Sequence, residues 1–333
     1  MPQANNNGQD VSASPSLNLW IITDHKPGHL NQLKGLCERI AAHTGTHEHW
    51  ISTEDTNTRW LDCLLRRYPT QNQPLLHDRP APDIVIGAGH STHKEVLAIK
   101  RHFRCFSVLL MNPSLPVQWF DAAIIPEHDN PTPRDHTLVT KGVLNTITPI
   151  NPPAVLEANQ HKGLILIGGD SKHYDWDAAE IVQQVVDLAH KHEATQWTLS
   201  DSRRTGPAFI SLLKRQLPKN LKIIPHTETP QGWVKEQMAE AGTIWVTPDS
   251  VSMVYEAITS GVPVGLFNMT AKKNGRIVKG IQSLVEQGIA STFATGSQTL
   301  DSSMPKTPLW EAERAAAWLL EQYTEYKKRN ADK

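Results

Sequence analysis

The chain has 333 residues, of which 39% are hydrophobic and 20% are charged, and its formal net charge is −1 at neutral pH. This length favours two globular domains over one, and the near-neutral charge excludes a global electrostatic attraction to nucleic acid. The 3 cysteines, Cys37, Cys63 and Cys105, are too widely spaced to indicate a disulfide framework or a zinc site.

The N-terminal segment 1–16 is polar and of low complexity, which predicts a disordered tail and not a signal peptide. No apolar run approaches the roughly 20 residues that a transmembrane helix needs. We therefore expect a cytoplasmic protein with reduced thiols. Peripheral contact with the inner membrane stays an open alternative.

In the first half of the chain, strand-like apolar runs alternate with helical patterns. Strands are predicted at 19–23, 47–52, 83–87, 105–112 and 122–126, helices at 31–43, at 58–68 and up to residue 101, and the segment 138–145 closes the unit. This alternation predicts a parallel sheet with crossover helices. We assign a Rossmann-like domain to residues 17–147.

The second half begins after a segment with 3 prolines, at positions 149, 152 and 153, which predicts a linker over 148–160. Strands are then predicted at 163–167, 195–200, 221–226, 243–248 and 262–268, and helices at 176–192, from Pro207 and at 251–260. We assign a second Rossmann-like domain to 161–306 and a C-terminal helix, packing back toward the first domain, to 307–333. Two doubly wound α/β domains imply a cleft, with ligands outside the carboxyl ends of the strands.

The turn after the first strand contains Asp24, His25, Lys26, Gly28 and His29. Glycine permits close approach of a ligand to the backbone, and histidine and lysine supply a titratable group and a cation. His29, His25 and Asp24 are therefore candidate catalytic bases. An ordinary polar turn at the start of a helix is the alternative.

Gly168 and Gly169 end a buried strand and are followed by Ser171 and Lys172. This pattern predicts a phosphate-binding turn, although the spacing of a P-loop is absent. The adjacent Arg203 and Arg204 follow the next strand, and arginine neutralises phosphate well. An exposed basic pair is the alternative for these two.

The strongest candidate is the helix start that contains Asp249, Ser250 and Ser252, with Glu256 one turn further on the same face. Unpaired N–H groups and the helix dipole favour a diphosphate there, and a carboxylate at that distance could accept hydrogen bonds from ribose hydroxyls. The alternative is that Asp249 or Ser250 only caps the helix. We predict no metal site, because Asp175 and Asp177 open a helix, where acidic residues are favoured.

The motifs TDHKPGHLNQLKGL, IGGDSKHYDW, TLSDSRRTG and TPDSVSMVYEAITSGVPV together resemble the mitochondrial fission ELM-type family. That family is similar to the GT-B glycosyltransferases, which implies two Rossmann-like domains and a nucleotide sugar in the C-terminal one. By resemblance, the Gly168–Gly169 turn, Ser250 and Ser252 would face the diphosphate, and Glu256 would bind ribose. Gly28 and His29, with Lys26, Gly89 and His90, would lie on the acceptor side.

Two segments depart from the family pattern. Asp170 stands where proline or asparagine is usual, and the segment before residues 283–288 lacks the usual Phe–His pair. A lysine or arginine of segment 272–279 could compensate for the missing histidine. No dinucleotide fingerprint supports the epimerase label that bacterial members carry.

Three functions follow from the resemblance. The first is a metal-independent glycosyltransferase that uses a nucleotide sugar and an envelope or lipid-linked acceptor, with no cofactor and no nucleic-acid partner. The second is a non-catalytic, membrane-associated scaffold that retains the fold. The third is a nucleoside-diphosphate-sugar epimerase.

Overall fold

A computed structural model describes residues 16–65, 79–150, 157–293 and 309–331 of the chain. By the density of internal contacts the chain divides into two compact units. The first contains residues 1–33, 37–123 and 316–333, and the second contains 34–36 and 124–315. None of the helices in the described ranges is long and apolar enough to cross a membrane.

The first sheet is six-stranded and parallel, with the strand order β2-β1-β3-β4-β5-β6. Its strands are β1 (Leu17–Thr23), β2 (Thr46–Ser52), β3 (Ile84–Ala88), β4 (Phe106–Leu110), β5 (Ala122–Pro126) and β6 (Thr137–Thr140). Helices α1 (Pro27–His43), α2 (Trp60–Leu65) and α3 (His93–Phe103) connect the first four strands. Because β1 pairs with both β2 and β3, the segments after β1 and β3 emerge at the same edge.

The core of the first sheet explains why these segments form strands. Trp20 and Ile22 of β1 pack with Val85 of β3 and with α3, on which Val96 and Ile99 are fully buried. Full burial of each such aliphatic side chain contributes roughly 2 kcal/mol. The near-continuous burial of β1, β3 and β4 is typical of parallel strands that are covered on both faces.

The second sheet is also six-stranded and parallel, with the order β12-β11-β10-β7-β8-β9. Its strands are β7 (Lys162–Leu166), β8 (Gln196–Ser200), β9 (Leu221–Ile223), β10 (Thr243–Val246), β11 (Val264–Leu266) and β12 (Ser291–Thr292). The helices of this unit are α4 (Ala178–Lys191), α5 (Pro207–Arg215), α6 (Trp233–Glu240), α7 (Val251–Thr259) and α8 (Arg276–Glu286).

Successive residues of β7 point to opposite faces of the second sheet. Leu164 and Leu166 pack in the core formed with α6, α7 and α8. Ile165 and Ile167 pack in the core formed with α4 and α5. Both faces of the sheet are therefore covered by helices. The loops that follow its parallel strands lie together at the carboxyl edge of the sheet.

The last helix, α9 (Glu311–Ala331), contributes to both units. Its C-terminal part belongs to the first unit, where Tyr323 Oη donates to Asp83 Oδ1 at 2.9 Å and Tyr326 Oη donates to the Arg104 carbonyl at 2.7 Å. Near its start, the Lys141 N–H donates to Glu311 Oε2 at 3.1 Å, within the second unit. The helix begins at Glu311, and the predicted start at 307 lies outside the described residues.

The predicted α/β, GT-B-like class is confirmed, with corrections to individual elements. Helix α1 begins at Pro27 and not near Asn31, because Pro27 occupies the first helical position and Lys26 is extended. In the segment 138–145, which was predicted to close the first unit, the strand ends at Thr140. Asp177 is the N-cap of α4, since its carboxylate accepts from the Ala179 and Glu180 N–H groups.

Several predictions fall partly on residues outside the described ranges. They are the tail 1–16, the end of the helix 58–68, the middle of the linker 148–160 and the end of the domain 161–306. The division into a domain of residues 17–147 and a domain of residues 161–306 stays a prediction.

Candidate functional site

In the first unit, four side chains meet where β1 and β3 end. The Asp24 carboxylate, whose side chain is 7% exposed, lies 2.9 Å from His29 Nδ1 and 3.0 Å from Lys26 Nζ. Ser91 Oγ donates to its second oxygen at 2.9 Å. Asp24, Lys26 and His29 are candidates from the sequence, whereas Ser91 was not predicted. The pairing of β1 with β3 explains why Ser91 belongs here, since it follows β3 directly.

The pKa of Asp24 reflects this environment. Burial raises it, but the hydrogen bonds from Lys26, His29 and Ser91 outweigh burial and hold it well below its usual range. Asp24 is therefore ionised and can only accept hydrogen bonds. The His29 ring must then donate from Nδ1, which leaves Nε2 as the basic nitrogen of the neutral ring.

Gly89 is required for this arrangement. Its φ is +85°, a conformation that favours glycine, and a Cβ built on it would lie 2.3 Å from His29 Cε1. The backbone of the segment after β3 therefore lies directly against the imidazole ring. Gly89, predicted from the resemblance to lie on the acceptor side, thus contacts the His29 ring closely.

Three other candidates of this region lie outside the Asp24 hydrogen-bond cluster. His25 is exposed, with a φ of +57°, and its N–H donates to Thr23 Oγ1 at 3.0 Å. The Gly28 carbonyl accepts from the Gln32 side chain within α1. His90 is exposed, and its ring centroid lies 5.6 Å from that of His93, whose pKa burial lowers to about 4.

In the second unit, the Gly168–Gly169 turn is closed by side chains that follow β10. The Gly168 N–H donates to Thr247 Oγ1 at 2.7 Å, and the Gly169 N–H donates to Asp249 Oδ2 at 3.0 Å. Both N–H groups are therefore engaged inside the protein. These two N–H groups are therefore not free to bind a phosphate, and a diphosphate facing this turn stays a prediction that needs other donors.

Steric contact shows why glycine is needed at both positions. A Cβ on Gly168 would lie 2.3 Å from the Asp249 carboxylate oxygens, and one on Gly169 would lie 2.1 Å from the Arg204 carbonyl oxygen. The two glycines thus allow the loops after β8 and β10 to pack closely against the turn after β7.

Asp249 is the buried centre of this region. Its side chain is 0% exposed, Oδ2 lies 2.7 Å from Arg204 Nη2, and Oδ1 has no hydrogen-bond partner among the described residues. Ser250 is the N-cap of α7, without a hydrogen bond from its side chain. The alternative that Asp249 or Ser250 caps α7 through its side chain is therefore wrong. A buried carboxylate oxygen without a donor is costly unless a water or a ligand supplies one.

The loop after β8 holds the turn from the other side. Ser202 Oγ donates to the Gly168 carbonyl at 2.8 Å, and Thr205 Oγ1 donates to the same carbonyl. Arg204 Nη1 donates to the Gly169 and Asp170 carbonyls at 3.2 and 2.8 Å. Arg203 is exposed. In the TLSDSRRTG motif only the arginines were predicted to have a role, whereas Ser202 and Thr205 also hold the turn.

The segment after Gly169 is tied to the loop after β11. Lys272 Nζ lies 3.1 Å from Asp170 Oδ1 and donates to the Ser171 carbonyl at 2.8 Å. Ser171 Oγ accepts from the His173 and Tyr174 N–H groups at 3.2 and 3.1 Å, so it stabilises its own loop. Lys172 is exposed. Asp170, the departure from the family pattern, thus has a lysine partner.

Helix α7 presents its N-terminus and one polar face beside Asp249. Ser250, Ser252 and Glu256 are half-buried, and the N–H groups of the first helical turn have no acceptor within the helix. Tyr255, one turn after Ser252, is buried and fixed by packing. Its ring stacks on His128 at 6.5 Å, and its Oη donates to the Lys141 carbonyl at 3.1 Å.

A cavity of about 540 Å³ adjoins this region, which the sequence analysis did not anticipate. Its lining includes Tyr174, Pro248, Phe267, Ile281 and Gln282. Burial, with the Asp249 charge as a second cause, raises the pKa of Tyr174 to about 12, so the phenol stays protonated. Within the described ranges, no group of three histidine, cysteine, aspartate or glutamate side chains could hold a metal ion.

Comparison with known proteins identifies the family. A model of the family "Mitochondrial fission ELM1" matches residues 27–323. The chain belongs to this family. The uncharacterized protein RP120 of Rickettsia prowazekii is 27% identical, over 90% of this chain and 97% of its own length.

Mitochondrial fission protein ELM1 of Arabidopsis thaliana is a second relative of this ELM1-family chain. It is 24% identical over 72% of the chain, and the match spans 64% of the Arabidopsis protein. A solved structure, UDP-GlcNAc 2-epimerase of Neisseria meningitidis bound to UDP-GlcNAc, matches 93% of the chain and 100% of its own length, with a TM-score of 0.55 and 12% identity. The structural neighbours are epimerases and glycosyltransferases of the GT-B fold.

Proposed function

We propose that the chain binds a nucleoside-diphosphate sugar at the carboxyl edge of the second sheet and transfers the sugar to an envelope or lipid-linked acceptor. The observation that supports this most directly is Asp249, a fully buried carboxylate at the start of α7 with one oxygen that has no donor among the described residues. A sugar or ribose hydroxyl would supply that donor. Binding of UDP-GlcNAc by the Neisseria epimerase is consistent with this ligand class.

The groups around Asp249 suit the other parts of such a ligand. The N–H groups at the start of α7, the hydroxyls of Ser250 and Ser252, and the exposed Arg203 and Lys172 are donors for a diphosphate. The two aspartates nearby do not prevent this, because Arg204 pairs with Asp249 and Lys272 pairs with Asp170. Glu256 would accept hydrogen bonds from the ribose.

For sugar transfer, an acceptor hydroxyl must lose its proton. We assign this role to His29 Nε2, because Asp24 fixes the ring with Nδ1 protonated. A bond forms between the acceptor oxygen and the anomeric carbon, and the bond from that carbon to the β-phosphate oxygen breaks. The proton passes to His29, and the nucleoside diphosphate leaves with its charge stabilised by the α7 N-terminus and the cations.

The test is a turnover assay with uridine, guanosine, adenosine and cytidine diphosphate sugars, with and without polyprenyl phosphate and alkyl glycoside acceptors. We expect a product only when an acceptor is present. His29→Ala should reduce transfer at least roughly 100-fold, whereas the exposed control His47→Ala should not.

Other results would assign a different function. Interconversion of the nucleotide sugar without an acceptor would show an epimerase. A folded protein that binds no nucleotide and forms no product would overturn the proposal and favour a scaffold. That function is consistent with the name of the Arabidopsis relative.

A further inference from the structure

A second aspartate–histidine pair lies at the carboxyl edge of the second sheet, in residues to which the proposed function gives no role. Asp201 follows β8, and His226 follows β9. One carboxylate oxygen, Asp201 Oδ1, accepts from the His226 backbone N–H at 2.6 Å and lies 2.9 Å from His226 Nδ1. The imidazole is thus fixed at two points by a carboxylate that is only 10% exposed.

The pairing determines what the ring can offer a ligand. Since the carboxylate only accepts hydrogen bonds, the neutral ring carries its proton on Nδ1, and Nε2 is an acceptor. The His226 side chain is 32% exposed, and Nε2 has no hydrogen-bond partner in the described part of the chain. A rigid acceptor is therefore available at this edge of the sheet.

The loop that carries His226 is itself well ordered by hydrogen bonds. Thr229 Oγ1 donates to the His226 carbonyl at 2.8 Å, and the Glu228 N–H donates to the Pro225 carbonyl at 2.8 Å. Pro225 and Pro230 flank the segment. A ring held in one place on a stiff loop is suited to recognition, because little conformational freedom is lost when a ligand binds.

The strand order separates His226 from the proposed phosphate donors. β9 lies two strands from β7, which precedes Gly168, and three strands from β10, which precedes α7. At about 4.8 Å between strands, these separations are roughly 10 and 14 Å. A diphosphate at the start of α7 is too short to extend to His226, so the group that contacts His226 belongs to another part of the ligand.

We propose that His226, positioned by Asp201, accepts a hydrogen bond from the nucleobase of the nucleoside diphosphate. This inference rests on the proposed function, because it uses the diphosphate position at α7. Nucleobases present N–H groups in a fixed plane, which suits a fixed acceptor. Asp201 is a positioning residue, and His226 is a specificity-determining contact.

The experiment compares three ligands by isothermal titration calorimetry. They are the tightest-binding member of a panel of UDP, CDP, ADP and GDP, the corresponding nucleotide sugar, and inorganic pyrophosphate. For His226→Ala we expect the Kd of the nucleoside diphosphate and of the nucleotide sugar to rise by a similar factor, roughly tenfold. The Kd of pyrophosphate should not change. His190→Ala, an exposed histidine of α4, is the matched control.

The result separates this inference from the proposed function. An equal loss of pyrophosphate affinity would show that His226 contacts phosphate, and a loss confined to the nucleotide sugar would show that it contacts the sugar. Either outcome overturns the inference and leaves the proposed function intact. A wild-type protein that binds none of the ligands overturns both.

Asp201 is tested by a readout that a purely structural role would not change. In ¹⁵N NMR spectra of the ring nitrogens, wild-type His226 should show a protonated Nδ1, and Asp201→Asn should shift the ring toward the other tautomer. The same variant should weaken nucleoside diphosphate binding without changing pyrophosphate binding. An unchanged tautomer would overturn the positioning role.

Discussion

Arg204 Nη2 lies 2.7 Å from Asp249 Oδ2. Among the described residues, Arg204 is the only arginine that donates a hydrogen bond to the Gly168–Gly169 turn. Asp249 is fully buried, whereas the Arg204 side chain is 41% exposed. The arginine is therefore shared between a buried carboxylate and the surface where we place the diphosphate. Substituting either residue should change ligand binding in a direction that depends on the ligand.

Asp249→Asn removes the negative charge beside that surface and replaces the ion pair with Arg204 by a weaker, neutral contact. We expect pyrophosphate to bind several-fold more tightly, because about 1 kcal/mol of charge interaction corresponds to a factor of about 5 in Kd. A nucleotide sugar should bind more weakly, since the amide is a poorer acceptor for its hydroxyl. Calorimetry on both ligands tests this, with the exposed Asp187→Asn as the control. Weaker pyrophosphate binding by Asp249→Asn would contradict the assignment.

Gly89→Ala should displace His29. The alanine would have to adopt a φ of +85°, and its Cβ would lie 2.3 Å from His29 Cε1. Gly232 has a φ of +88° with nothing within 4 Å of a Cβ, so Gly232→Ala isolates the conformational cost. We expect Gly89→Ala to lower the free energy of unfolding by roughly 1–3 kcal/mol more than Gly232→Ala, and to abolish transfer. Equal urea midpoints for the two variants would contradict the close packing.

Acidification should remove the contribution of Asp24 to stability. The pKa of Asp24 is lowered in the folded protein, so its contribution is complete above the unfolded value, near pH 4, and declines as the pH falls toward the folded value. We expect Asp24→Asn to be less stable than the wild type at pH 7, with a gap that narrows below about pH 4. Urea unfolding at several pH values tests this. A gap that stays constant would contradict it.

Thr247→Val should destabilise the second unit. Thr247 Oγ1 accepts from the buried Gly168 N–H at 2.7 Å, and valine leaves that N–H without a partner. We expect a loss of about 1–3 kcal/mol in the free energy of unfolding. Thr198→Val, at a half-buried position of β8, removes no side-chain hydrogen bond to another described residue and should change stability far less. Similar losses in both variants would contradict this reading.

Lys272→Met should leave the Asp170 carboxylate without its lysine partner. Both side chains are partly exposed, at 34% and 77%, so the free energy of unfolding should change by less than about 1 kcal/mol. Pyrophosphate binding should weaken, and the double variant with Asp170→Asn should recover it. Calorimetry on the two single variants and the double variant tests this. Failure of the double variant to recover binding would show that Lys272 acts on the ligand directly.

The alternation of strands and helices could be predicted from the sequence because each element has its own local pattern. The continuous apolar run from Leu19 to Ile22 predicts a strand from local sequence alone. In the same way, Pro248 before α7 and Gly261 after it predict the limits of that helix. Short elements such as the two-residue β12 could not be predicted, because β12 is defined by its pairing with β11 and not by local sequence.

The residue types of the candidate site could be predicted, but their partners could not. Gly168 and Gly169 look like a phosphate-binding turn in the sequence, and only the fold shows that Thr247 and Asp249, some 80 positions later, engage their N–H groups. Ser91 and Ser202 were missed for the same reason. Their roles depend on which strands are neighbours, and sequence spacing does not encode that order.

A nucleotide site at the carboxyl edge of the second sheet can be tested by hydrogen–deuterium exchange with and without the tightest-binding nucleoside diphosphate. We expect slower exchange at the amides of residues 251–253, where α7 begins, because their N–H groups would donate to the diphosphate. We also expect slower exchange around Asp201 and His226, but no change around these two residues when pyrophosphate replaces the nucleotide. Protection confined to other segments, or none at saturating ligand, would contradict a nucleotide site at this edge of the second sheet.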